Sequence, residues 1–200
     1  MEQVVTDRGA ALRIARLVTE VLAPVVLIFV VTLIVCLHAA GLPRGLGLAI
    51  VAMAFAGGIP YGAILLGVRR GVLVDHHVSR REQRPKILAI GVVSVAAGLV
   101  VLSWMQAPRA VFALLAAMTV GGVISLAIST FWEISMHAAA AAGTVACLTV
   151  LVGPWWLIAV PVIALTGWAR VILRDHTAAQ VCVGAVVGAT VSTGVSLLVG

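Results

Sequence analysis

ILAIGVVSVAAGLVVLSW (residues 87–104) and AVFALLAAMTVGGVISLAISTF (residues 110–131) decide the fold of this chain. Neither run holds a charged residue, and both reach or approach the roughly 20 apolar residues that cross a bilayer core as an α-helix. Neither alternates apolar with polar residues, so strands with a polar lumen face are excluded. Runs of the same kind occupy residues 21–40, 46–68, 137–152, 156–168 and 177–199. Those at 137–152 and 156–168 are short and parted by Gly153-Pro154, so two tilted helices packed inside a bundle are an alternative to two spans. The reading is an all-α protein, a polytopic transmembrane helical bundle of seven spans, with six as the runner-up.

Composition agrees. With 62% hydrophobic and 10% charged residues in a chain of 200, a water-exposed shell cannot be built, since soluble domains carry about 25% charge. Residues 1–19 hold Arg8, Arg13 and Arg16 among apolar residues and read as a polar or interfacial segment; residues 20–200 form one transmembrane domain. No signal peptide is expected, because the first apolar run starts late, has spanning length and lacks a small-residue cleavage site. Cys36, Cys147 and Cys182 stand alone in apolar runs, without ligand spacing, and read as packing residues. Net charge is +6, carried by twelve arginines and only Lys86. That bias suits bidentate phosphate recognition. No basic module with interleaved aromatics exists, so nucleic acid is not an expected partner.

Three polar islands interrupt the apolar chain: DHHVSRREQRP (residues 75–85), SMH (135–137) and RVILRDH (170–176). Charges beside membrane spans are costly and mark functional sites. Seven spans would put the N-terminus and all three islands on one face, which then carries eleven Lys and Arg residues against Arg44 and Arg109 on the other. The positive-inside rule makes that face cytoplasmic, and the protein a multi-pass component of the cell's inner (plasma) membrane.

Arginines and two separated histidines are what a site needs to hold a phosphate ester and attack it. Gln180 stands four residues after His176, one helical turn away, where its oxygen can engage one ring nitrogen and leave the other as a nucleophile. His137 can protonate the leaving oxygen. Arg84 and Arg170 can neutralise the non-bridging oxygens, and backbone N–H groups at a helix start beside Ser135 would add anion donors.

These islands resemble the three-part signature of the type-2 phosphatidic acid phosphatase family, which shares its fold with vanadium haloperoxidases. That signature runs lysine, six residues, Arg-Pro; then Pro-Ser-Gly-His; then Ser-Arg, five residues, His, three residues, Asp. Arg84-Pro85, Ser135, His137, Arg170 and His176 match it in order and spacing. His77 stands in place of the lysine, Ile134 and Met136 replace proline and glycine, and Ala169 and Gln180 replace serine and aspartate. Arg80 or Arg81 can substitute for the missing lysine cation. A neutral glutamine orients the histidine but stabilises its imidazolium less than aspartate. The resemblance implies hydrolysis of a lipid phosphate through a phosphohistidine, with His176, His137 and Gln180 as catalytic residues. It implies Arg84, Arg170, His77, Arg80 and Ser135 as phosphate contacts, and neither metal nor cofactor.

Other residues have plainer readings. Asp75, His76 and His77 lack a second ligand pair at helical spacing. His38 reads as interfacial, and Glu133 as the partner of an arginine. Asp175 reads as a cap or a partner of Arg174. Gly184 and Gly188 permit close helix contact, within one chain in preference to a homodimer seam. Trp155 and Trp156 read as anchors at the far interface. The expected substrate is a phosphate or diphosphate ester of a membrane lipid, with a polyprenyl tail favoured. The alternatives are a prenyl-diphosphate transferase or lyase on the same scaffold, which would lack the usual Asp-rich magnesium motifs, and a catalytically degenerate lipid-phosphate binder.

Overall fold

A backbone that cannot reach water must satisfy its own hydrogen bonds, and a helix does so within one segment. In the computed structural model each apolar run is helical. The structure describes residues 2–71 and 84–200, with the side chains of residues 2–8, 84 and 85 outside that description. The order is α1 (Glu2–Val21), α2 (Pro24–Ala40), α3 (Arg44–Met53), α4 (Ile59–Arg69), α5 (Arg84–Trp104), α6 (Arg109–Ser129), α7 (Met136–Leu151), α8 (Val160–Ile172) and α9 (Ala178–Val199). A π turn, Ala54–Gly58, joins α3 to α4, and a 3₁₀ turn, Pro154–Ala159, leads into α8. Among the described residues there is no strand.

Boundaries follow local chemistry. Pro24 and Pro154 open their helices, where a missing N–H costs nothing. Gly41 ends α2 at φ 64°, a conformation that favours glycine, and its N–H bonds the Leu37 carbonyl. Between Met53 and Ile59 the π turn widens the helix, and the Ser94 hydroxyl of α5 donates to the Phe55 carbonyl at 2.6 Å. That bond ties α5 to the irregular turn.

Among the described residues, five helical stretches are long and apolar enough to cross a membrane: Arg44–Arg69, Lys86–Trp104, Arg109–Ser129, Pro154–Ile172 and Ala178–Val199. Gly9–Val21 and Pro24–Ala40 make a sixth only if taken as one span bent by 45°. This differs from the seven runs in two places. The first run is a 17-residue α2, continued by a bent α1 that packs on α8. The run at 137–152 is the 16-residue α7, too short by the same test, and it is the interior element. His137, Ala138, Ala141, Gly143, Val145 and Leu148 are all buried along it.

Helices α7 and α9 meet through small residues. A methyl group added at Gly184 would lie 2.6 Å from the Ser135 carbonyl oxygen, and one at Gly188 would overlap the Ala139 carbonyl. Gly143 faces Ser192 in the same seam. The Gly184–Gly188 pair is therefore used for packing within the chain. A core of Val31, Val35, Leu48, Leu102, Leu114 and Leu115 fills the other end of the bundle. Val93, Val100, Val123, Val186 and Leu198 point outward and are exposed, an apolar exterior compatible with a multi-pass membrane protein.

Candidate active site

The third island is shaped by how α8 stops. Arg174 takes φ 58°, in the left-handed region. Its N–H bonds the Val171 carbonyl at 3.0 Å, and the Asp175 N–H bonds the Arg170 carbonyl at 3.1 Å. That pair of bonds is a Schellman motif, with arginine where glycine is usual. The reversal carries Asp175 back over the last turn of α8, where its Oδ2 lies 3.0 Å from Arg170 Nη1. Asp175 thus pairs with Arg170 and not with Arg174. The Arg170 side chain is 11% exposed against 44% for Asp175, so the pair is half sheltered.

Helix α9 then begins with a full capping box. Thr177 Oγ1 accepts from the Gln180 N–H at 3.3 Å, and Gln180 Oε1 accepts from the Thr177 N–H at 3.0 Å. The same Oε1 lies 3.3 Å from His176 Nδ1. His176 precedes the cap, so the contact forms by the glutamine reaching back past the helix start and not through one turn of a shared helix. The consequence is chemical. Only the oxygen end of an amide can accept from the Thr177 N–H, so the cap fixes which end faces the imidazole. A hydrogen bond to that oxygen requires the proton on Nδ1, which puts the lone pair of a neutral His176 on Nε2.

The second island is joined to the third. The Ser135 N–H donates to the Gln180 main-chain carbonyl at 3.1 Å, and Ser135 Oγ accepts from the Ala138 N–H at 3.4 Å as the N-cap of α7. Ser135 is fully buried, and His137 follows in the first turn of α7. One residue, Gln180, therefore holds the start of α7 with its backbone and His176 with its side chain.

His137 and His176 both border a cavity of about 500 Å³ that runs from this junction between α2, the π turn, α4, α5 and α6. Glu20 at the end of α1 and Glu133 before α7 border it too, as does Tyr61 of α4. Arg170, Ser135 and Gln180, which the sequence places in the site, are not among its lining residues. The sequence expectations at His77, Arg80, Arg81, Asp75 and His76 lie outside the described residues, and for Arg84 the structure places the backbone, at the start of α5, but not the side chain. Glu20, Tyr61 and Thr177 were missed by sequence reasoning. Only Thr177, at the N-cap of a Thr-x-x-Gln box, left a readable signal.

Comparison of the chain with protein-family models, with curated proteins and with solved structures finds no match.

Proposed function

We propose that this chain is an integral-membrane phosphatase, resembling the type-2 phosphatidic acid phosphatases, that hydrolyses a lipid phosphate or diphosphate through a phosphohistidine. The observation that carries the reading is that His137, in the first turn of α7, and His176, in the turn between α8 and α9, border one cavity while Gln180 holds the Nδ1 side of His176. In the proposed reaction the Nε2 lone pair attacks phosphorus and the phosphorus–oxygen ester bond breaks. His137, as imidazolium, gives its proton to the departing alkoxide, which leaves as an alcohol. Water then attacks phosphorus, His137 takes its proton, the phosphorus–nitrogen bond breaks and inorganic phosphate leaves. Arg84 and Arg170, with Arg80 and His77, are assigned to the non-bridging oxygens, and Arg170 stays oriented by Asp175.

The same reading takes the six long apolar segments together with the shorter interior α7 as seven passages, which return the three islands to one face, and takes that face as cytoplasmic. The supports are the five long apolar stretches with the bent α1–α2 pair, and the Lys and Arg imbalance. The test is release of inorganic phosphate from a panel of lipid phosphates and diphosphates by the purified protein with EDTA present. Release that needs His176 supports the hydrolase. Binding without release, or diphosphate released intact, replaces it with the binder or the transferase.

A further inference from the structure

The cavity beyond the two histidines is not shaped for a head group. Away from His137, His176, Glu20, Glu133, Tyr61 and Ser129 its walls are apolar: Ile28 of α2, Ala56 of the π turn, Ile64 of α4, Val95 of α5 and Met118 of α6 line it. Val31, Ala52, Leu102 and Leu115, buried residues of the packed core, do not line it. Along α5 the lining reaches from Ile87 to Val95, roughly 12 Å at 1.5 Å per residue. That depth is about two-fifths of a ~30 Å hydrocarbon core, most of the thickness of one leaflet.

We infer that this chamber holds one apolar chain of the substrate, so that the site takes the phosphate ester of a single-chain amphiphile, with most of one leaflet's length of tail inside the protein. The inference rests on the phosphatase reading for the head group and on the chamber for the tail. A volume of about 500 Å³ falls in the usual range for one ligand of this size. The π turn widens the α3–α4 helix where the chain would lie against Ala56 and Gly57.

Gly91 supplies the test. It lines the chamber, and a Cβ added there meets nothing within 4 Å, so a side chain would enter the cavity without displacing protein. Gly62 of α4 is equally open but is not among the lining residues. Binding of butyl, hexyl, octyl and decyl phosphate to the protein in lipid nanodiscs is to be measured by calorimetry. The expected affinity rises roughly three- to fourfold per methylene, as for burial from water. Gly91→Leu should cost decyl phosphate about tenfold or more, the burial of roughly two methylenes, leaving butyl phosphate and the Gly62→Leu control unchanged. A decyl phosphate with a diazirine at its chain end should label Ile28, Val95 or Met118. Equal affinity along the series, equal losses in both glycine variants, or labelling confined to exposed residues such as Val93 would overturn the chamber. Chain-dependent binding without phosphate release would leave the chamber standing and sink the hydrolase; release with no chain dependence would do the reverse.

Discussion

Gln180 Oε1 lies 3.3 Å from His176 Nδ1 and 3.0 Å from the Thr177 N–H, so one amide oxygen both caps α9 and orients the imidazole. Capping boxes use glutamate as readily as glutamine at this position, whereas aspartate is one methylene shorter. Gln180→Glu should keep both contacts and add a charge that stabilises the imidazolium. The expected result is a turnover rate equal to or above that of the parent. Gln180→Asp cannot span both contacts and should be slower than Gln180→Glu. Steady-state kinetics on all three proteins checks the order.

The cap also sets the tautomer, which is observable without any turnover. Thr177→Ala removes the hydroxyl, costs about 1 kcal/mol of helix capping, and keeps the N–H that holds Gln180. Thr177→Pro removes that N–H at a φ of −77°, which proline tolerates. Nitrogen-15 spectra of labelled histidine, assigned with His176→Ala, should show His176 protonated on Nδ1 in the parent and in Thr177→Ala. Thr177→Pro should mix the tautomers. A single unchanged tautomer in Thr177→Pro would show that the cap does not set it.

Which parts of this were legible in the sequence follows from how local each determinant is. The all-α character was, because unbroken apolar length is a one-dimensional property. The interior position of α7 was not. Its alanine-rich run matches a lipid-facing helix in composition, and what buries it is Gly184 and Gly188 on another helix, against Ser135 and Ala139. The nearness of Gln180 to His176 was legible from four-residue spacing, but not its cause, because the helix starts after His176. Asp175 reads in sequence as a cap or a partner of Arg174, and the left-handed turn at Arg174 sends it to Arg170 instead. The chamber left no sequence signal, since its walls come from five separate segments.

Arg174 sits at φ 58° where a Cβ is unfavourable, by roughly 1–2 kcal/mol. Arg174→Gly should relieve that cost and hold or raise the thermal midpoint. Arg174→Val should lower the midpoint and loosen the Arg170–Asp175 pair. Scanning calorimetry in detergent is the check; equal midpoints for glycine and valine would remove the turn from the account.

The α7–α9 seam should be intolerant of bulk. Gly184→Ala places a methyl group 2.6 Å from the Ser135 carbonyl and is expected to cost about 1–3 kcal/mol, as overpacking does. Gly194→Ala, on the same helix with nothing within 4 Å, should be neutral or slightly stabilising. Thermal unfolding of the two variants side by side tests the seam.

Sidedness is tested with single cysteines in a background lacking Cys36, Cys147 and Cys182. An impermeant maleimide added to whole cells should label Arg109→Cys and spare Arg13→Cys. The reverse pattern would put the histidines on the outer face.

The phosphohistidine is the central claim, and it is tested most directly by trapping. Rapid acid-free quenching with a radiolabelled lipid phosphate should leave label on the protein that is stable in base and lost in acid. His176→Ala should abolish both the label and phosphate release. His137→Ala should keep the label while slowing turnover by roughly 10²–10⁴-fold, the usual contribution of a general acid. A His176→Ala protein that releases phosphate at the parent rate would contradict the account.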